Sequence, residues 1–131
     1  IRRNMYKLII LLIFPLVCFS QISKQNKYEI LDYDTFKKNV ELENILLVDV
    51  RTFEEYNDGH INGAINIDFY QENIFNSYFK SIDKNKPLYV YCRSGNRSRK
   101  TSDKLIELGF FKIFDLKDGY VNWVNNQEKE N

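Results

Sequence analysis

The chain has 131 residues, of which 44% are hydrophobic and 15% aromatic, so one domain with a substantial core is the default. Charged residues make up 28% and nearly balance, at a net charge of +1. That excludes the marked basic excess of a nucleic-acid or membrane-surface binder.

Arg2, Arg3 and Lys7 open the chain, and no acid precedes Glu29. Residues 8–19 form an apolar stretch broken only by Pro15. It falls short of the roughly 20 residues that span a bilayer but suits the apolar region of a secretory signal. Cys18-Phe19-Ser20 then puts small residues at the −3 and −1 positions. Residues 1–20 are therefore read as a signal peptide starting at Met5 and removed after Ser20, giving an exported, periplasmic or secreted protein with no stable membrane association. Two alternatives stay open. One is an uncleaved anchor through residues 8–19. The other is lipidation at Cys18, against which the bulky Val17 counts. Cleavage leaves a slightly acidic protein whose one cysteine, Cys92, has no partner for an internal disulfide.

Residues 21–27 are a polar lead-in, 28–126 a single domain and 127–131 a polar tail. Residues 28–31 read as a first strand, and Asp34 as the cap of a helix ending near residue 39. The apolar run 45–50 is short enough for a buried strand. Thr52 caps a helix over 53–57, which Asp58-Gly59 stops. Residues 64–67 form a brief strand. Over 73–82, Ile74, Phe75, Tyr78 and Phe79 recur at helical spacing on one face. Lys86-Pro87 marks a turn before a strand at 88–91. A helix over 98–108 turns Thr101, Leu105 and Leu108 inward and ends at Gly109. A strand at 112–116 and a helix at 120–125 complete the series. Strands separated by helices imply an α/β fold, with a mainly parallel five-stranded sheet covered on both faces. Ligands of such sheets bind beyond the carboxyl ends of the strands. Cys92 stands at one of those ends, Asp49 and Arg51 at another.

The run Tyr91-Cys92-Arg93-Ser94-Gly95-Asn96-Arg97-Ser98 carries the chemistry. A strand ends at a thiol, a glycine-containing loop follows, and a helix opens. Inward-facing loop amides, the helix N-terminus and the cations Arg93 and Arg97 all favour an anion there, and so a reactive thiolate. Arg97, Arg99 and Lys100 oppose the helix dipole at about 0.3–1 kcal/mol each, a local rule whose breach points to an expected anion. The competing readings are cations that merely point into solvent and a buried cysteine acting as a small hydrophobe. Tyrosine phosphatases use a cysteine, five residues and an arginine. Here Ser98 holds the sixth position and Arg97 comes one early, so the smaller loop fits one sulfur atom better than a tetrahedral phosphate. No glycine-rich nucleotide fingerprint is present.

Three separated motifs resemble the rhodanese-like family, specifically single-domain thiosulfate sulfurtransferases. Leu47-Val48-Asp49-Val50-Arg51-Thr52, with Glu54 to Ala64 following, is similar to its first signature. The Cys92 loop is similar to its active loop, and Gly119-Tyr120 with Trp123 to its C-terminal signature. Phe53 and Asn62 stand where the family often has proline, and Asp118-Gly119 where Gly-Gly is usual. The resemblance implies a sulfurtransferase. Cys92 takes the outer sulfur of thiosulfate or a similar anion as a persulfide, then passes it to cyanide, a thiol or a reduced redox protein. Arg93, Ser94, Gly95, Asn96, Arg97 and Ser98 would bind the substrate, with neither metal nor organic cofactor. Two other functions remain: a non-enzymatic module that binds persulfide or anion, and a phosphatase or arsenate reductase on the same scaffold.

His60 is expected to be a hydrogen-bonded scaffold residue. Asp49 and Arg51 are expected to brace the sheet edge near the site, the alternative being that they line the pocket mouth. Trp123 and the Phe and Tyr residues read as core. Asn96-Arg97-Ser98 matches a glycosylation sequon, but a glycan there would block the pocket.

Overall fold

The computed structural model describes residues 28–131. The expected signal peptide and the lead-in at 21–27 lie outside the described residues. Among the described residues no helix is long and apolar enough to cross a membrane.

Five strands and five helices alternate. They are β1 (Tyr28–Leu31), α1 (Tyr33–Val40), β2 (Leu46–Asp49), α2 (Phe53–Asn57), β3 (Ile65–Asn66), α3 (Glu72–Ser81), β4 (Leu88–Tyr91), α4 (Asn96–Glu107), β5 (Ile113–Leu116) and α5 (Gly119–Glu130). The sheet order is β1-β5-β4-β2-β3, and every strand pair is parallel. β4 is therefore central, and all four of its residues are buried.

Side-chain alternation along the strands splits the core in two. One face carries Val48, Val50, Leu88, Val90, Cys92 and Ile113, covered by Phe75 and Phe79 of α3 and Leu105 of α4. The other carries Leu47, Tyr89, Tyr91 and Leu116, covered by Phe36 of α1 and by Ile61 and Ala64. Trp123 of α5 packs against this second cluster, with its ring 5.2 Å from that of Tyr33. Each fully buried Val, Leu or Phe contributes about 1.5–3 kcal/mol before conformational entropy is charged against it.

The elements depart from the sequence expectations at five places, one of them the start of α4, which is Asn96 rather than Ser98. The α1 cap is Asp32, not Asp34: its extended backbone lets the carboxylate accept the Thr35 N–H at 2.9 Å, and Asp34 falls in the first turn, where its charge suits the helix dipole. The strand expected over 64–67 shrinks to β3. In α3, Phe75 and Phe79 are buried but Ile74 is exposed. The expected tail at 127–131 is instead helical through Glu130. Its anchors are tertiary: Gln127 donates to the Tyr33 hydroxyl and Lys37 pairs with Glu130.

Candidate active site

β4 delivers Cys92 to its carboxyl end, between β2 and β5, where the chain leaves the sheet in opposite directions. Backbone geometry then builds the loop. Gly95 has φ +110°, a conformation that a side chain would strain, and it turns its N–H onto the Cys92 Sγ at 3.1 Å. Its carbonyl accepts the Ser98 hydroxyl at 3.2 Å and the Arg99 N–H at 3.1 Å, which starts α4. No side chain caps that helix, so its first-turn amides face the loop without a competing acceptor from the cap residue. Ser98 is fully buried, and its Oγ lies 3.5 Å from the sulfur. Ser98 thus sits behind Cys92 rather than at the mouth, while Arg93, Ser94 and Asn96 are exposed around it. Cys92 itself is 1% exposed. An open cleft of about 410 Å³ flanks the loop, lined by Arg93, Ser94, Asp118, Val121, Asn122 and Asn125. Cys92 is not among the residues that line it.

The start of α5 clamps the loop from the other side. The Tyr120 N–H donates to the Cys92 carbonyl at 2.8 Å and the Val121 N–H to the Arg93 carbonyl at 3.1 Å. Gly119, with φ +64°, passes so close that a Cβ there would fall 2.5 Å from the Arg93 oxygen. Glycine is required by contact as well as by backbone conformation. Asp118 also has a positive φ, which aspartate tolerates better than most residues.

Asp49 and Arg51 form a buried bracket rather than a pocket wall. The Arg51 Nη2 lies 2.7 Å from the Asp49 Oδ2 and 2.6 Å from the Gly59 carbonyl, and the Arg51 backbone N–H donates to the Asp49 Oδ1 at 2.9 Å. Asp49 is fully buried and Arg51 4% exposed. The guanidinium stacks 4.1 Å from the Tyr120 ring centre, so the bracket reaches the residue that holds the Cys92 carbonyl. His60 is exposed. Its Nδ1 bonds the Tyr56 carbonyl at 2.9 Å and its ring stacks on Tyr56.

Arg97 departs most from expectation. Expected to take the donor's charge, it is committed to Glu55 of α2, with Nη1–Oε2 at 2.7 Å and Nη2–Oε1 at 2.8 Å. Glu55 hydrogen bonding holds the guanidinium pKa above its usual range, and the Cys92 sulfur adds in the same direction. The Arg97 hydrogen bonds hold the Glu55 carboxyl down at about 2. Arg93 is left as the exposed cation of the loop. Among the described residues no cluster of three His, Cys, Asp or Glu side chains gathers as metal ligands.

Two residues of the site are absent from the sequence reading as participants. Glu55 was legible only as the third residue after the Thr52 cap, a capping box that the structure forms. Asp115 was legible only as a lone acid within the β5 run Ile113-Phe114-Asp115-Leu116.

Comparison with known proteins agrees with this architecture. The rhodanese-like domain family matches residues 32–126. The thiosulfate sulfurtransferase GlpE of Shewanella oneidensis is 29% identical, over 75% of this chain and 94% of that protein. The tRNA uridine(34) hydroxylase of Pelagibacter ubique is 31% identical over 82% of this chain, yet the chain spans only 36% of that protein's length. It likewise spans 24% of an adenylyltransferase and sulfurtransferase of Debaryomyces hansenii, at 32% identity. Among solved structures, a rhodanese-related protein of Thermoplasma volcanium superposes at a TM-score of 0.65 and 26% identity, covering 76% of this chain and 93% of its own. Fold, loop and sequence kinship coincide over the same residues, and the chain belongs to the rhodanese-like domain family.

Proposed function

We propose that this chain is a sulfurtransferase that moves a sulfane sulfur from thiosulfate, or a similar donor, to a thiophilic acceptor through a persulfide on Cys92. The observation that supports this best is the placement of the Cys92 Sγ. It meets the Gly95 N–H at 3.1 Å, ahead of an uncapped helix N-terminus. Those donors suit the Cys92 thiolate before the first transfer and the charged terminal sulfur of the persulfide after it. In that step the thiolate attacks the outer sulfur of thiosulfate, a new S–S bond forms, and sulfite leaves with the electron pair of the old one. A nucleophilic acceptor (cyanide, a thiol or a reduced redox protein) then takes the outer sulfur and returns the thiolate, which is ping-pong chemistry. Arg93 draws the donor anion to the mouth, and Ser94, Gly95 and Asn96 border its path. Arg97 acts from its pair with Glu55, as a fixed positive charge beside the sulfur.

Incubation with thiosulfate followed by intact-mass measurement tests this reading. The expected product is a protein one sulfur atom heavier that reverts with dithiothreitol and is absent from Cys92→Ala. An unchanged mass refutes it.

The 1% exposure of Cys92 favours a second reading, a module that holds sulfur or an anion without turnover. A steady-state thiosulfate assay with several acceptors separates the two, since loading without turnover supports the module. Export is part of the same proposal, and N-terminal sequencing of the exported protein tests cleavage after Ser20.

A further inference from the structure

Asp115 lies on the sheet face that α4 covers. Its register partner on β4 is Val90, two residues before Cys92, and it shares its face with Ile113 and Val90 of the Cys92 cluster. It is 1% exposed, and neither carboxyl oxygen has a hydrogen-bond partner among the described residues. A buried, unpartnered carboxylate is costly, so the group either stays neutral or has work for its proton. Burial pushes its pKa up to about 7, while the Ser98 hydroxyl and the Arg99 guanidinium pull the other way. Ser98 is the link to the site: its hydroxyl acts on the Asp115 carboxyl without forming a hydrogen bond to it in this structure, and its Oγ is 3.5 Å from the Cys92 Sγ and 3.2 Å from the Gly95 carbonyl.

We propose that Asp115 is a positioning residue for Cys92: protonated, it donates to the Ser98 oxygen, and the Ser98 hydroxyl proton then turns onto the Cys92 sulfur. This rests on the reading of Cys92 as the reacting sulfur. The Ser98 hydroxyl has one proton to give and three acceptors around it. A neutral Asp115 fills the Ser98 acceptor side and leaves that proton for the sulfur anion, while the Gly95 carbonyl keeps the Arg99 N–H. An ionised Asp115 reverses the chain. It takes the Ser98 proton for itself and adds a second negative charge behind the sulfur. The proton it loses goes to solvent, and no covalent bond changes.

The other charged or titratable groups facing Asp115 are few. From α4 there is the guanidinium of the exposed Arg99. From β1 there is the Tyr28 phenol, whose pKa burial, Asp103 and Asp115 raise further. From the β4 end there is Cys92. Asp115 is the group among these whose pKa is pushed to about 7.

The test is the rate of Cys92 alkylation by iodoacetamide between pH 5 and 9, which needs neither sulfur donor nor acceptor. The wild-type profile is expected to bend near pH 7, and Asp115→Asn to follow a single ionisation. At pH 8 the variant should react about threefold faster or more, because the nearby negative charge is gone. In a Ser98→Ala background the Asp115→Asn effect should shrink. Superimposable wild-type and Asp115→Asn profiles, or an effect undiminished by Ser98→Ala, overturn the proposal. Should Asp115→Asn fail to fold, the carboxyl ¹³C shift of Asp115 decides. Its titration curve should shift after S-methylation of Cys92, and identical curves overturn the proposal. A bent alkylation profile with no thiosulfate adduct would sink the sulfurtransferase reading and leave the Asp115 coupling standing.

Discussion

Arg97 and Glu55 meet as a two-pronged ion pair across 42 residues of sequence, with their four atoms in contacts of 2.7 and 2.8 Å. The pair ties α2 to the first turn of α4. It also supplies the acid that the α4 N-terminus lacks in its own sequence. Planar bidentate geometry of this kind adds direction as well as charge. The cation that opposes the helix dipole is thereby held in place beside the Cys92 loop.

Glu55→Gln should lower stability by about 1 kcal/mol, since it weakens both a partly exposed ion pair and the Thr52 capping box. The pH dependence has a definite sign. With the folded carboxyl held at about 2 against an ordinary 4.5, the wild-type contribution is full above pH 5. It drains away as pH falls from there toward 2, because the unfolded chain binds the proton first. Urea unfolding of both proteins at pH 7 and pH 3 checks this: the gap between them should narrow at pH 3.

Gly119→Ala should be severe. The added Cβ meets the Arg93 carbonyl oxygen at 2.5 Å and the Cys92 oxygen at 2.6 Å, at a φ that alanine resists. A loss above about 2 kcal/mol and a displaced active loop are expected. Asp118→Gly, by contrast, relieves a positive φ and should change stability by less than about 1 kcal/mol. Thermal unfolding and Cys92 alkylation rates distinguish the two.

Asp49→Asn leaves the Arg51 guanidinium buried without its counter-charge. A destabilisation of about 3–5 kcal/mol is expected, as for other broken buried pairs. Because Arg51 stacks on Tyr120, whose N–H holds the Cys92 carbonyl, the folded fraction of the variant should also show altered alkylation of Cys92. An unchanged unfolding midpoint would place the bracket outside the stabilising core.

Asp115 makes the opposite pH contribution to Glu55. Its carboxyl is pushed up from 3.8 to about 7 in the folded protein. Between those values the folded chain keeps a proton that the unfolded chain has released. Stability therefore falls as pH rises from about 4 to 7, and then levels off. Asp115→Asn should flatten this part of the pH–stability curve in chemical denaturation, with the greatest relative gain above pH 7.

The alternation of apolar strands and amphipathic helices was legible in the chain because periods of two and 3.6 residues are written locally. β4 and α2 match their expected bounds, and the loop from Cys92 to Ser98 announced itself by a thiol, a glycine and cations before a helix. Helix ends were less legible. The α1 cap moved to Asp32 because capping depends on which residue takes an extended backbone, and α5 outran its expected end because Gln127 and Glu130 find partners on α1.

By itself the sequence determined the order of elements, the parallel sheet and the position of the thiol at a strand end, since these follow from local periodicity and handed connections. Only the tertiary structure decided what the charges do. It gave Arg97 to Glu55, closed Asp49 and Arg51 into a buried bracket, and left the buried Asp115 carboxyl without a hydrogen-bond partner among the described residues. An ion pair or a buried acid is fixed by distances between segments far apart along the chain, and no local pattern encodes those distances.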